Sequence, residues 1–304
     1  MLFSSIEFIF VFLPVFLTFY FFTPNKQRNS VLLVFSLIFY TWGEPRFLAL
    51  MAFTVVLDWL LGILIERKPK KAKLFLALAV SSNLLILGVF KYLSPTLDFF
   101  GFSFVSLALP VGISFYTFQV ISYTVDVYKG LIRPVRNILD FGFYVSFFPQ
   151  LVAGPIIKAS DFIPQLYRRY FLSRMQFGIA IFWILNGLIK KIVFSDYLAV
   201  NFIDRVFANP QFFTGFENLM ALFVYSLQVY ADFSGYTDIA IGLSLLMGYH
   251  LPMNFNSPYK AQNCSNFWKR WHISLSRWLQ TYLYIPLGGN RKGVFRHIIN
   301  LLIL

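Results

Sequence analysis

Long apolar runs separated by short charged turns dominate the sequence. The main runs cover residues 6–22, 31–42, 47–65, 74–93, 110–128 and 177–194. A helix of about 20 residues crosses the hydrocarbon core of a bilayer, which is roughly 30 Å thick. Lipid offers the backbone no hydrogen-bond partner, so such runs are expected to be helical. The pattern therefore predicts an all-α, polytopic membrane protein.

The turns between these runs alternate between basic and neutral. Basic turns contain Lys26 with Arg28, residues 66–73 and residues 129–136, whereas residues 43–46 carry no net charge and residues 94–107 contain no Lys or Arg. Because Lys and Arg are retained on the cytoplasmic side of membranes, the basic turns are expected there. The N-terminus is then expected to lie outside.

Composition agrees with a membrane protein and excludes several other classes. Of 304 residues, 58% are hydrophobic and 13% charged, and the mean hydropathy is +0.66, well outside the range usual for soluble domains. The net charge is +13, but the basic residues are scattered between apolar runs, which favours membrane lipids over nucleic acid as partners. A single cysteine, Cys264, excludes an internal disulfide and a multi-cysteine metal cluster. We expect no metal site.

Two stretches do not fit a simple spanning helix. Residues 141–157 include the stretch 147–155, which contains two prolines and a glycine. Irregular backbone at membrane depth survives only where protein or water covers it, so a re-entrant segment is predicted there. Residues 110–128 carry polar side chains, including Gln119 and Asp126, which predicts burial among other helices or a cavity lining. For the Ser and Thr residues in this run, hydrogen bonds to carbonyls of their own helix remain an alternative.

The second half of the chain begins with less regular segments. Residues 161–174 are polar and basic, which predicts an interfacial helix. A spanning helix over residues 177–194 is expected to end at Lys190 and Lys191, and residues 201–216 are predicted to be a loop.

A polar face interrupts the apolar residues 217–249. Gln228 and Asp232 are four residues apart and share a helix face, with Asp238 further along. Carboxylates at hydrophobic depth are costly, so they are expected to pair with a cation or to face a cavity. Pairing with an Arg or Lys of residues 266–293 and direct participation in chemistry both remain open. Breaks are predicted at Ser234-Gly235 and at Gly248.

Residues 266–293 concentrate the side chains suited to chemistry. On a helix at 100° per residue, one face holds Trp268, Leu275, Leu279, Trp271, Tyr282 and Trp278, and the other holds Ser276, Lys269, Asn266, Arg277, Arg270 and Ser274. His272 lies on the border, where an imidazole can exchange a proton away from bulk water and lipid. We predict His272 as a catalytic residue, with a hydrogen-bonded structural role as the alternative. His250 and His297 are expected at a helix end and at the membrane interface.

Several segments in the same order resemble the membrane-bound O-acyltransferase family. They are residues 147–155 (FFPQLVAGP), 230–238 (YADFSGYTD), 267–278 (FWKRWHISLSRW) and 284–290 (YIPLGGN). The similarity extends from Phe3 to Leu304 and is greatest to the bacterial branch that contains the alginate O-acetyltransferase membrane subunit. It implies one helical membrane domain over residues 1–304, arranged around a central tunnel in a bacterial inner membrane.

The resemblance also implies an activity. Members move an acyl group from a cytoplasmic donor, here expected to be acetyl-CoA or a similar molecule used as a substrate, with no bound cofactor. The expected acceptor is an exported, alginate-like polysaccharide, and the expected partners are periplasmic acetylation proteins. Candidates for donor or substrate binding are Lys269, Arg270, Arg277, Asn266, Asp232, Asp238 and Gln228, with headgroup anchoring as the alternative for the cations.

The family has a second functional histidine, usually within Trp-His-Gly, that has no counterpart in these 304 residues. The final apolar run, residues 298–304, is too short to cross a bilayer. We therefore expect the domain to be incomplete at its C-terminus and to hold His272 as one member of a catalytic pair. A transporter or flippase, and a non-catalytic scaffold that docks a secreted acetylation enzyme, are the alternative functions.

Overall fold

Helices form most of the described protein in the computed structural model, which describes residues 1–100 and 108–304. Those of the first half are α1 Leu13–Phe22, α2 Arg28–Gly43, α3 Leu48–Arg67, α4 Ala72–Gly88, α5 Ser94–Phe99, α6 Ile113–Tyr128, α7 Ile138–Ser146, α8 Phe148–Leu151 and α9 Ala159–Phe162. Those of the second half are α10 Arg174–Ile189, α11 Asp204–Ala208, α12 Gly215–Leu246, α13 Cys264–Trp268, α14 Ile273–Leu279 and α15 Val294–Ile303. No strand occurs in the described ranges, which confirms the all-α prediction.

Three helical segments of the described residues are long and apolar enough to cross a membrane. They are Pro45–Arg67, Pro69–Leu93 and Arg174–Ala208. The turn predicted between the apolar runs 31–42 and 47–65 is present: α2 ends at Gly43, and a short 3-10 turn that begins at Pro45 leads into α3. The connection predicted over residues 94–107 begins as α5 and then passes outside the described residues.

The abundant phenylalanines form a core at the N-terminus. The ring of Phe148, on the short buried helix α8, lies 5.3–6.4 Å from the rings of Phe3, Phe8, Phe12, Phe16 and Phe39. Most of these pairs are edge-on or tilted, the arrangement that aromatic quadrupoles prefer. The segment 141–151 is buried throughout, as a sunken re-entrant piece requires.

Helix α6 is buried on its polar side, as predicted. Thr117, Gln119, Ser122, Thr124 and Asp126 are each at most 2% exposed. The hydroxyl of Ser122 donates to the carbonyl of Gln119 in its own helix (2.7 Å) and also accepts from the backbone N–H of Ala159 (3.3 Å). Both roles considered for the hydroxyls of this helix therefore occur together.

The interfacial helix predicted over residues 161–174 is wrong. Helix α9 ends at Phe162, and a 3-10 turn containing Pro164 follows to Tyr167. Residues 168–173 have no helical structure. Proline removes a backbone donor and clashes with the preceding turn, so a regular helix does not continue through it.

Helices α10 and α12 pack closely, and this corrects three predictions. The chain stays helical beyond Lys190 and Lys191, through π-helical turns, to Ala208, so no loop begins at residue 201. Helix α12 is continuous through Ser234-Gly235. A Cβ on Gly187 would lie 2.5 Å from the carbonyl oxygen of Gly235, so these glycines permit close approach instead of breaking the helix. Gly248, with φ +85°, does end α12.

The basic turns gather at one end of the bundle. Arg136 forms an ion pair with Glu66, Arg28 donates to the carbonyl of Tyr170, and Tyr249 donates to the side chain of Asn29. Asn29 also donates to the carbonyl of Leu166, and the neighbouring Tyr167 lines one cavity with residues 132–137. The C-terminus of α12 therefore lies at the same end as the turns at residues 26–29, 66–73 and 129–137. We call this the basic end. The position of these basic turns at one end agrees with the alternation of basic and neutral turns along the sequence.

Candidate functional site

Residues 250–287 fold back into the bundle beside α12. The loop of residues 250–258 begins at the basic end and runs along α12 toward its N-terminus. At its end, the Tyr259 hydroxyl donates to the carbonyl of Ser226 (2.7 Å). The chain turns in α13 and descends through α14, where the indole of Trp278 donates to the Phe118 carbonyl of α6 (2.9 Å). We call residues 250–287 the hairpin, and its descending limb lies between α12 and α6.

The single helix predicted over residues 266–293 is wrong. Helix α13 ends at Trp268, residues 269–272 form a turn, and α14 begins at Ile273. His272 has φ +44° and ψ +53°, the left-handed region that non-glycine residues rarely adopt. His272 is thus the corner between two short helices, and the two faces drawn on one helical wheel do not exist.

A distant asparagine fixes this corner. The backbone N–H of Ile273 donates to the Asn254 carbonyl (2.9 Å), and both the N–H and the hydroxyl of Ser274 donate to the Asn254 side-chain oxygen. The Ser274 hydroxyl also accepts from the N–H of Ile156 (2.9 Å). Asn254 thus supplies acceptors to the start of α14 that a continuous helix would supply from its preceding turn. Neither Asn254 nor this pairing was predicted, and the sequence signals it only by two asparagines between Pro252 and Pro258.

The imidazole of His272 packs into this corner without a polar partner. Its ring meets the ring of Phe233 edge-on, with centroids 4.7 Å apart. Its Nδ1 is buried and has no hydrogen-bond partner among the described residues. A buried polar atom without a partner is costly. The strained backbone and the unpartnered nitrogen together are typical of a residue kept for a function rather than for stability.

His272 lies near the middle of the bundle's depth. Phe233, its neighbour, is residue 19 of the 32 in α12. At 1.5 Å per residue, it is about 27 Å from the N-terminus of α12 and about 20 Å from the basic end. Aromatic rings lie on the side of His272 that is away from the basic end. The ring centroids of Trp271 and Phe255 are 5.1 Å apart, and those of Phe255 and Tyr230 are 5.6 Å apart.

The cationic candidates around His272 separate into two kinds. Arg270 is engaged within the hairpin, since it donates to the side chain of Asn266 (2.6 Å) and to the carbonyl of Asn256 (3.1 Å). Lys269 and Arg277 are exposed, and neither pairs with a carboxylate in the described residues. The structure therefore gives Arg270 and Asn266 a positioning role and leaves Lys269 and Arg277 available to a ligand or a lipid headgroup.

Asp232 and Asp238 of α12 pair with Lys191 and Lys190 of the π-helical turn that follows α10, and not with residues 266–293, so the predicted pairing is wrong. Asp238 accepts from Lys190 (2.6 Å) and from Asn186 (2.7 Å). Asp232 accepts from Lys191 (2.6 Å), which also binds Asp196. These ion pairs explain why the lysines do not end the helix. Gln228, one turn before Asp232, is half-buried.

A second cluster was not predicted and lies toward the basic end. Tyr282, in the π-helical turn Gln280–Tyr284, donates its hydroxyl to Asp126 (2.8 Å). The other oxygen of Asp126 accepts from the N–H of Ser160 (3.1 Å). The ammonium groups of Lys129 and Lys158 lie 5.7 Å and 6.0 Å from the centroid of the Tyr282 ring. A buried aspartate in α6 was the only sign of this cluster in the sequence.

Comparison with known proteins identifies the family. A model of the membrane-bound O-acyltransferase family matches residues 133–304, more than half of the chain. The chain belongs to this family. The resemblance seen in the sequence motifs is thereby confirmed, and the match contains the whole of α10, α12 and the hairpin that carries His272.

Two curated relatives cover nearly all of the chain, and a third covers 58% of it. A probable alginate O-acetylase of Pseudomonas putida is 44% identical over 99% of the chain and 64% of its own length. A peptidoglycan O-acetyltransferase of Helicobacter pylori is 37% identical over 98% of the chain and 64% of its own length. A teichoic acid D-alanyltransferase of Bacillus subtilis is 30% identical over 58% of the chain and 45% of its own length. The chain therefore spans less than two thirds of the length of the relatives it matches.

Within this membrane-bound O-acyltransferase domain, the described residues contain no group of three His, Cys, Asp or Glu side chains that would hold a metal ion. The side chains that fix the backbone beside His272 are instead an amide and a hydroxyl. Asn254 and Ser274 fix the backbone on one side of the imidazole, and Phe233 supports its ring on the other. The arrangement suits an imidazole that orients a reactant or moves a proton.

Proposed function

We propose that the full-length protein transfers an acetyl group from a cytoplasmic thioester, acetyl-CoA or a similar donor, to an exported polysaccharide. The observation that carries the proposal is His272: a strained, half-buried histidine with an unpartnered Nδ1, at mid-depth of a membrane-bound O-acyltransferase domain. Relatives named for acetyl transfer to alginate and to peptidoglycan support acetyl as the group and exported glycans as the acceptor class.

The reaction exchanges one acyl bond for another. An acceptor hydroxyl oxygen bonds to the acetyl carbonyl carbon, the carbon–sulfur bond of the donor breaks, and the hydroxyl proton ends on the departing thiolate. This needs a base for the hydroxyl and a donor group near the developing oxyanion. In this proposal, the family's Trp-His-Gly histidine is the base, and His272 orients the acceptor or serves as the second proton-transfer group.

The mid-depth position of His272 supports a site reached from both faces of the membrane. The donor would approach from the basic end. We propose that this end faces the cytoplasmic side of a bacterial inner membrane and that the N-terminus lies outside. The acceptor and periplasmic partner proteins would approach from the opposite side, past the rings of Trp271, Phe255 and Tyr230.

The test uses the full-length protein in membrane vesicles with labelled acetyl-CoA and polysaccharide. His272→Ala is expected to lower acetyl transfer by about 100-fold or more, the usual contribution of a proton-transfer group. The exposed His250 is the matched control, and His250→Ala is expected to leave the rate unchanged. Normal transfer by a well-expressed His272→Ala protein would refute the catalytic role. Vesicles that move labelled acetyl groups without labelling any acceptor would favour a transporter.

A further inference from the structure

The two lysines beside Tyr282 form a cationic site that the proposed chemistry at His272 does not use. Their ammonium groups lie within 6.0 Å of one ring centroid, and so no more than about 12 Å from each other. Lys158 is half-buried and donates to the hydroxyl of Thr281 (2.8 Å), whereas Lys129 is exposed. Neither forms an ion pair with a carboxylate within residues 1–100 and 108–304.

The nearby aspartate does not neutralise these cations by direct contact. Asp126 is fully buried, and its two oxygens accept from the Tyr282 hydroxyl and the Ser160 N–H. These bonds fix the tyrosine ring, which then supports both ammonium groups on its π-electrons. Since an ammonium has three N–H donors, both lysines keep donors free for an added anion.

The location matches an acyl donor that comes from the basic end. Lys129 directly follows the last residue of α6, next to the basic turn of residues 129–136. Ten residues separate His272 from Tyr282 along α14 and its π-helical turn, a rise of about 15 Å. A ligand held at Lys129 and Lys158 reaches His272 only if its reactive group stands at the end of an extended arm.

We propose that Lys129 and Lys158, positioned by Tyr282, bind phosphate groups of the acyl donor, whose thioester extends on a long arm toward His272. This inference rests on the proposed acetyl transfer and adds the site that anchors the donor. It also moves the donor phosphates away from Arg270, which is occupied within its own hairpin. Phosphate binding by lysine is electrostatic, so affinity should fall as ionic strength rises.

The experiment measures binding and needs no turnover. Labelled coenzyme A is titrated against the full-length protein in nanodiscs of uncharged phosphatidylcholine. The double variant Lys129→Met/Lys158→Met is expected to bind it at least tenfold more weakly than the parent. Pantetheine, which lacks the phosphates, is expected to bind both proteins equally. Lys70→Met/Lys71→Met, two exposed lysines at the same end, is the matched control and should bind coenzyme A normally.

The possible outcomes separate this inference from the proposed function. Unchanged coenzyme A binding by the double variant, or an equal loss in the Lys70/Lys71 control, would overturn the site. The site would also be overturned if the double variant lost only its retention of phosphatidylglycerol added to the nanodiscs, because the cluster would then bind a lipid headgroup. A parent protein that binds coenzyme A through these lysines but acetylates no acceptor would contradict the acetyl transfer and leave the binding site standing.

Discussion

The contact between α10 and α12 gives a sharp test of how the site is held. A Cβ added to Gly187 would lie 2.5 Å from the Gly235 carbonyl oxygen and 2.8 Å from the Ile239 nitrogen. Both atoms are backbone, so neither can rotate away. Ordinary contact begins near 3.4 Å, which means that the helices must separate by about 0.9 Å. Overpacking of this kind costs about 1–3 kcal/mol.

Gly178 supplies a control on the same helix. A Cβ there meets nothing within 4 Å. Replacing glycine by alanine within a helix stabilises it by about 0.5–1 kcal/mol. This gain is common to Gly178→Ala and Gly187→Ala, so the difference between the two variants isolates the packing cost.

The assay is thermal unfolding of both variants in the same detergent at the same scan rate, followed by tryptophan fluorescence. Gly187→Ala is expected to unfold at a lower temperature than Gly178→Ala, by about 1–2 °C for each kcal/mol, because the unfolding entropy grows with chain length. Acetyl transfer should fall in the same variant, because α12 carries Phe233 against His272. Equal unfolding temperatures would refute the close approach of the two helices.

Two further predictions concern His272 and the ion pairs. Because His272 has a left-handed backbone, the free energy of unfolding of His272→Gly is expected to exceed that of His272→Ala by about 1 kcal/mol. Both variants are expected to lose acetyl transfer. A more stable alanine variant would contradict the backbone geometry. Asp238→Asn leaves Lys190 without its anion, and because that lysine side chain is 26% exposed, we expect the low end of the buried-pair range, about 3 kcal/mol. Adding Lys190→Met to Asp238→Asn should recover most of this loss of stability in the same unfolding assay. If Asp238→Asn alone is as stable as the parent, the ion pair contributes nothing to stability.

The helices could be predicted because their signals are local. The stop of α2 at Gly43 follows from Pro45, and the burial of Gln119 and Asp126 follows from the cost of polar groups in lipid. The corner at His272 could not be predicted in this way. The sequence around it contains no glycine or proline, and its turn depends on bonds to Asn254, 18 residues earlier.

Lys190 and Lys191 are a second case in which a long-range contact could not be predicted from local sequence. Two adjacent lysines after an apolar run are a common helix end at a membrane surface. Here their partners, Asp232 and Asp238, lie more than 40 residues later in the chain. A buried cation needs an anion, so the sequence states that a partner exists, but only the packing of α10 on α12 decides which carboxylate it is.

These long-range contacts link the ion pairs by position to the chemistry proposed at His272. Lys191 holds Asp232, the residue before Phe233, and Phe233 supports the imidazole of His272. On the opposite side, Ser274 ties the start of α14 to Ile156 and Asn254. An imidazole between two such supports keeps its direction although its buried Nδ1 has no hydrogen-bond partner among the described residues. The carboxylates of α12 therefore serve the site by fixing the helix that carries Phe233, and a change at Asp232 should alter the placement of His272 before it alters any charge at the reacting atoms.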